Sequence, residues 1–200
     1  MAGPVAHTFA AYAASGDYAA IHLAQFVGMA VFMAGLLVLI VALNVSEGAP
    51  RWLGLFGAVA AGLTLALGSV LYAVDGVALK QAVDAWVSAP PAEQATRFAT
   101  ADAIRWLEWG TNSYRNFIEG LAPTLFAIVI AWTGRVPRPI GYLMALSGLA
   151  YLVLGWLVGT RGFTGTAVPA GAGYLLLFAL TIWLLIVAWR RKESVQAAPA

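Results

Sequence analysis

The sequence predicts an all-α integral membrane helical bundle of about five transmembrane helices, with an amphipathic extramembrane segment between spans two and three. Three observations lead there. Of the 200 residues, 62% are hydrophobic and 10% charged, where a soluble domain carries roughly a quarter charged. Apolar runs long enough to cross the hydrocarbon, about 20 residues each, recur along the chain between short Gly-, Pro- and Arg-containing turns. The remaining charge gathers into one stripe, Arg105 to Glu119, directly ahead of the apolar run Leu121–Trp132.

The elements follow in order. Residues 1 to 18 are Ala- and Gly-rich and end at Ser15-Gly16-Asp17, a turn or cap signal that suits a short interfacial helix or a loose end carrying His7. Without a positive n-region the N-terminus does not read as a cleaved signal peptide. Span one covers residues 19–44, interrupted early by His22 and Gln25. Ser46 to Arg51 is a turn, and span two covers 52–78, with Asp75 near its end. Residues 79–111 mix Lys80, Asp84, Glu93 and Arg97 with Trp86 and Phe98, the pattern of an amphipathic segment outside the bilayer. Ala89-Pro90-Pro91 breaks it, because the residue before a proline avoids the helical region while proline suits a first turn. A new helix starts there and leads into span three, residues 112–132. Pro123 lacks the N–H that would bond the Glu119 carbonyl, so a kink is expected there. Thr133 to Pro139 is a tight turn, span four covers 140–160, Arg161 to Pro169 is a glycine-rich loop, and span five covers 170–189. Arg190-Arg191-Lys192 stops it, and residues 193–200 read as a disordered tail. The chain forms a single membrane domain, residues 1–200.

Orientation comes from the basic residues. Arg51, Arg135, Arg138, Arg190, Arg191 and Lys192 fall on one side of a five-span topology, with Glu47 and Glu193 as the acids beside them. The positive-inside rule makes that side cytoplasmic, which places the N-terminus outside and the C-terminus inside a plasma (inner) membrane. The same scatter of basic residues over span ends, with a net charge of only +2, argues against a nucleic-acid partner. The absence of cysteine excludes disulfides and thiolate chemistry.

On a helix, Arg105, Glu108, Asn112, Arg115 and Glu119 fall within an arc of roughly 80°. Ionisable groups at membrane depth face a bundle interior or a water-filled cavity and pair with one another. His22 and Gln25 open span one, and Asp75 closes span two, at the same outer level. An unpaired polar group in hydrocarbon costs kilocalories, so all eight residues are expected in one network. The pairs expected are Arg105 with Glu108, Arg115 with Glu119, and His22 with Asp75 or Glu108. A salt-bridged seam with no ligand explains the stripe equally well. Trp106 and Trp109 flank it and are candidate cavity walls.

The sequence is short of metal ligands. A zinc site needs three or four ligands, and only His22, Asp75 and Glu108 offer themselves as a cluster. A haem held between paired histidines is ruled out by the single intramembrane histidine. No cofactor can be named. Nucleophile-elbow, zinc-protease, phosphate-loop and dinucleotide glycine signatures are missing. Gly155-Trp-Leu-Val-Gly159 and the Gly57/Ala61 pair are small-xxx-small patterns that read as helix packing.

Two stretches, Ala20-Ile-His22-Leu-Ala-Gln25 and Tyr72-Ala-Val-Asp75-Gly-Val-Ala-Leu-Lys80, resemble small multi-spanning membrane proteins of high-GC actinobacteria. The resemblance implies an inner-membrane helical bundle and no assigned activity. The residues themselves favour a pocket near the outer face that binds or conducts a small solute, proton or lipid headgroup. In that reading the carboxylates accept, the arginines hold anions or neutralise the acids, and His22 confers pH dependence. The alternatives are a lipid-modifying enzyme, with His22 or a carboxylate as base, and an accessory subunit docking a membrane partner or a second copy.

Overall fold

The computed structural model describes residues 4–162 and 166–196, with backbone alone at 167, 184, 185 and 187–196. Those residues form helices and connecting turns with no strand among them. In chain order they are α1 (Pro4–Ala14), α2 (Tyr18–Leu43), α3 (Gly48–Ala73), a π-helical segment (Val74–Leu79), α4 (Lys80–Val87), α5 (Gln94–Thr133), α6 (Arg138–Arg161) and α7 (Ala167–Gln196).

Four described helices are long and apolar enough to cross a membrane: Tyr18–Leu43, Gly48–Val87, Gln94–Thr133 and Arg138–Arg161. The fifth expected span falls in α7, whose described apolar run, Val168–Trp183, is shorter.

Two helices run well past the predicted spans. Gly48–Val87 and Gln94–Thr133 are 40 residues each, about 60 Å at 1.5 Å per residue, twice the hydrocarbon thickness. The amphipathic segment 79–111 lies between spans two and three as expected, and it is helical on both sides of the Pro90-Pro91 turn. Its first part continues the span-two helix to Val87, and its second part opens α5, with only residues 88–93 as a turn. The reason is local: between Leu79 and Val87 nothing interrupts the helix, and the break waits for Ala89-Pro90-Pro91. Gly110 and Pro123 do not divide α5.

The N-terminal end is not loose. Phe9 of α1 is fully buried against Leu79, Val83 and Ala101, with Trp86 and Phe98 around it. His7 lies in α1 and is exposed, so of the two expected forms of this end the structure has the short helix. The tail also differs, since residues 193–196 belong to α7. Residues 197–200, and Phe163 to Gly165 of the glycine-rich loop, lie outside the described residues.

α5 organises the bundle. It packs on α3 along one flank and on α6 along the other, with α2 beyond α3 and α7 beyond α6. The result is a curved row in the order α2, α3, α5, α6, α7. Small residues set the α5–α6 distance. A Cβ on Gly120 would stand 2.5 Å from the Gly148 carbonyl, and one on Gly148 would stand 2.2 Å from Thr124 Oγ1. Gly155 and Gly159 pack against Ser113 of α5, and the Ser113 hydroxyl donates to the Gly155 carbonyl at 2.8 Å. Gly57 meets Phe126, so both small-residue patterns serve packing within the chain.

At the end of the bundle opposite the stripe, Asn44 closes α2 in the left-handed region (φ 44°). The Arg135 guanidinium donates to the carbonyls of Leu43 and Asn44. A cation on unsatisfied C-terminal carbonyls complements the helix dipole and ties the two turns together.

Candidate functional site

The concave side of the row encloses a cavity of about 730 Å³, and all eight predicted residues line it: His22, Gln25, Asp75, Arg105, Glu108, Asn112, Arg115 and Glu119. α5 is its floor. α2, α3 and the π segment form one wall, and α6 and α7 form the other. No extensive contact joins α2 to α7 among the described residues, so the cavity opens between them. Exposed residues mark that opening, Gln25 and Gly28 on α2 and Tyr174, Phe178 and Thr181 on α7.

The floor carries two closed ion pairs. Arg105 meets Glu108 through Nη1 and Oε2, one turn apart, and Glu108 is 2% exposed. The Arg105 guanidinium also lies over the rings of Tyr12 (5.5 Å) and Trp109 (6.0 Å). Deeper, Arg115 Nη1 reaches Glu119 Oε2 at 2.7 Å with both side chains under a tenth exposed. Arg115 Nη2 donates to Asn116 Oδ1 at 2.8 Å and Asn112 Oδ1 at 3.4 Å, and Asn116 Nδ2 donates to Asn112 Oδ1 at 3.2 Å. The Arg115 Nε–H and Glu119 Oε2 are both buried without a hydrogen bond, so the 2.7 Å Arg115–Glu119 contact is an ion pair whose geometry is not that of a hydrogen bond. Burial of a guanidinium N–H in this state costs roughly 1–3 kcal/mol or more.

The rim carries a third acid–base pair. His22 Nε2 lies 3.0 Å from Asp75 Oδ2, and the Tyr18 hydroxyl donates to Asp75 Oδ1 at 2.7 Å. Of the two partners expected for His22, the structure selects Asp75. The π segment is the local cause: such segments insert a residue, re-aim side chains and recur at functional sites. Gly76 completes it, because a Cβ there would stand 2.7 Å from His22 Cβ and push α2 away. Tyr12 reaches the cavity from α1, where burial pushes its phenol above the ordinary range although Arg105 acts in the opposite sense.

Trp106 and Trp109 do not line the cavity. They stack on each other edge to face at 4.7 Å, and Trp109 covers Gly162. Asn116 was missed from the stripe although it lies only about 20° beyond Arg105 on the same arc. Tyr12, Tyr72, Tyr151 and Tyr174 also line the cavity, and their apolar rings hid them among packing residues. The flank below is apolar, with Met29, Phe32, Leu71, Leu154, Leu177 and Phe178. Among the described residues no group of three or more His, Cys, Asp or Glu is placed to hold a metal ion.

Fold and site together define a class: an α-helical bundle with helices apolar enough to span a bilayer and an ion-paired cavity open on one side. No family model matches the chain, and no curated protein or solved structure matches it.

Proposed function

We propose that this is a multi-pass inner-membrane protein whose cavity binds the polar headgroup of an amphiphile entering sideways from the bilayer between α2 and α7. The observation that carries the reading is the cavity's two-sided lining. Ion-paired residues occupy the floor, apolar residues occupy the flank, and the mouth lies between two helices that do not close on each other. A water-soluble ligand has no use for Met29, Phe32, Leu177 and Phe178 beside its polar contacts, whereas an acyl or isoprenoid chain does.

Both floor arginines already face internal carboxylates, so the headgroup that fits best carries donors and acceptors together instead of a net charge. Asn112, Tyr72, Tyr151 and Tyr174 line the cavity beside those pairs and supply donors and acceptors of that kind. The positive-inside pattern puts the rim with His22 and Asp75 at the outer face, with the N-terminus outside and the C-terminus inside.

Gly28 allows the test. It lines the mouth, and a Cβ there meets nothing within 4 Å, so Gly28→Leu adds an apolar side chain to the entrance from an open position. Gly35, on the same helix, has the same free space and is not part of the lining, so Gly35→Leu is the control. Native mass spectrometry of protein released from nanodiscs is expected to show a retained lipid-class molecule in the wild type and the control. The same species is expected to fall at least tenfold in Gly28→Leu. Equal retention by all three sinks the reading.

A further inference from the structure

We infer that the Tyr18–His22–Asp75 contact is a proton-binding site, one that closes only when it holds one proton more than a neutral imidazole and a carboxylate possess. The hydrogen-bond inventory requires it. His22 Nδ1 lies 2.7 Å from the Tyr18 carbonyl oxygen, which can only accept, so Nδ1 carries hydrogen. Nε2 lies 3.0 Å from Asp75 Oδ2. An ionised Asp75 accepts only, so Nε2 then carries hydrogen too and the ring is an imidazolium. If Nε2 is bare, the hydrogen sits on Oδ2 and the acid is neutral. Both assignments contain the same extra proton. The Tyr18 hydroxyl does not replace it, because that hydrogen is already given to Oδ1.

With Glu108 ionised, the charge balance of the surroundings agrees with that count. The charged and titratable groups around the pair are Tyr12 from α1, Tyr18 beside it on α2, Tyr72 from α3, and Arg105 and Glu108 from α5. Lys80 of α4 is held elsewhere, by the Ala13 carbonyl (3.1 Å) and Asp84 (2.6 Å). Arg105 and Glu108 cancel, as do Arg115 and Glu119, and the tyrosines are neutral. The proton makes the His22–Asp75 pair neutral too. Without it the cavity carries one uncompensated negative charge in a poorly solvated place.

Loss of the proton has a mechanical consequence. Two lone pairs then face each other across the Asp75 contact, which opens one of the two bonds that latch α2 to the π segment, or across the Tyr18 carbonyl contact, which lies within α2 and leaves that latch made. α2 is one side of the cavity mouth, so proton release loosens the mouth where the Asp75 contact is the one lost. This inference rests on the hydrogen-bond geometry and stands or falls separately from the amphiphile reading.

The test uses the full chain in nanodiscs at neutral pH, with ¹⁵N-labelled histidine. The chain has two histidines, so His7→Ala leaves His22 as the only signal. Two ring N–H groups on His22 support the site. One bare ring nitrogen together with a carboxylic-acid infrared band that vanishes in Asp75→Asn supports it equally. One bare nitrogen with no such band overturns it. Asp75→Asn can donate from its amide to a bare Nε2, so it removes the need for the extra proton and is expected to turn His22 into a single neutral tautomer. Tyr18→Phe keeps both ring contacts and is expected to retain the proton. Should Asp75→Asn fail to fold, the wild-type nitrogen spectrum with the infrared band compared in Asp75→Glu still decides.

Discussion

Replacing Arg115 and Glu119 by leucine, singly and together, measures how closed the deepest ion pair is. At 2.7 Å and an effective dielectric constant of 20 the gross attraction is roughly 6 kcal/mol. Desolvation of the two ions offsets most of that. The single variants differ from the pair because each leaves a lone charge buried. Arg115→Leu strands Glu119, which has no other cation beside it, and is expected to cost about 3–5 kcal/mol. Glu119→Leu leaves Arg115 its contacts to Asn112 and Asn116 and is expected at the lower end, about 3 kcal/mol. The double variant removes both charges and deprives Asn116 Oδ1 of its donor, a loss of about 1 kcal/mol. It is therefore expected to be more stable than either single. Reversible unfolding in mixed micelles, followed by helical circular dichroism, reads the cycle. For a chain of this size each kcal/mol corresponds to roughly 2–4 °C in Tm. A double variant no more stable than Arg115→Leu would refute the closed-pair account, because it would mean that the arginine is held by its asparagine contacts and not by the acid.

Three further outcomes follow from packing. Gly76→Ala places a methyl 2.7 Å from His22 Cβ, so it is expected to lower stability by about 1–3 kcal/mol and to abolish the His22–Asp75 signature in the nitrogen spectrum. Gly120→Ala drives a methyl against the Gly148 carbonyl at 2.5 Å, where only backbone can give way. It is expected to lower Tm by more than Gly62→Ala, whose methyl meets nothing within 4 Å. Phe9→Ala empties the centre of the cluster formed by α1, α4 and the start of α5, at about 3–5 kcal/mol for a fully buried phenylalanine. Limited proteolysis is expected to detect it as cleavage within residues 4–17 while the rest of the chain stays protected.

The helical class was legible because 20-residue apolar runs have few alternatives to helix in a bilayer. The stripe was legible for a related reason: five polar residues at helical spacing beside a span have to meet something. What escaped is what periodicity does not encode. The docking of α1 escaped because Phe9, Trp86 and Phe98 pack together outside the predicted spans, and those aromatics look like interface anchors when read one at a time. The choice of Asp75 over Glu108 as the partner of His22 depends on a π segment, which changes the register by a residue and has no composition signal of its own. Tyr151 and Tyr174 join the cavity only because α6 and α7 curve round α5, a consequence of Gly120, Gly148 and Gly155 setting the α5–α6 approach.

That curvature explains why the cavity exists. α5 has a small-residue face for α6, an apolar face around Phe126 and Ala122 for α3, and a third face that is polar from Arg105 to Glu119. A sixth helix laid on that third face would have to match two acid–base pairs with partners of its own. The neighbours instead stop at its edges, α2 by docking on α3 and the π segment, α7 by docking on α6. The acids and bases neutralise one another along and across the helices, which lets the polar face remain uncovered without a net charge. In a bilayer a space of about 730 Å³ with an open side does not stay empty, because acyl chains fill apolar gaps and water fills polar ones. An occupant that is polar at one end and apolar at the other satisfies both halves of the lining at once, and neither water nor an acyl chain alone does so.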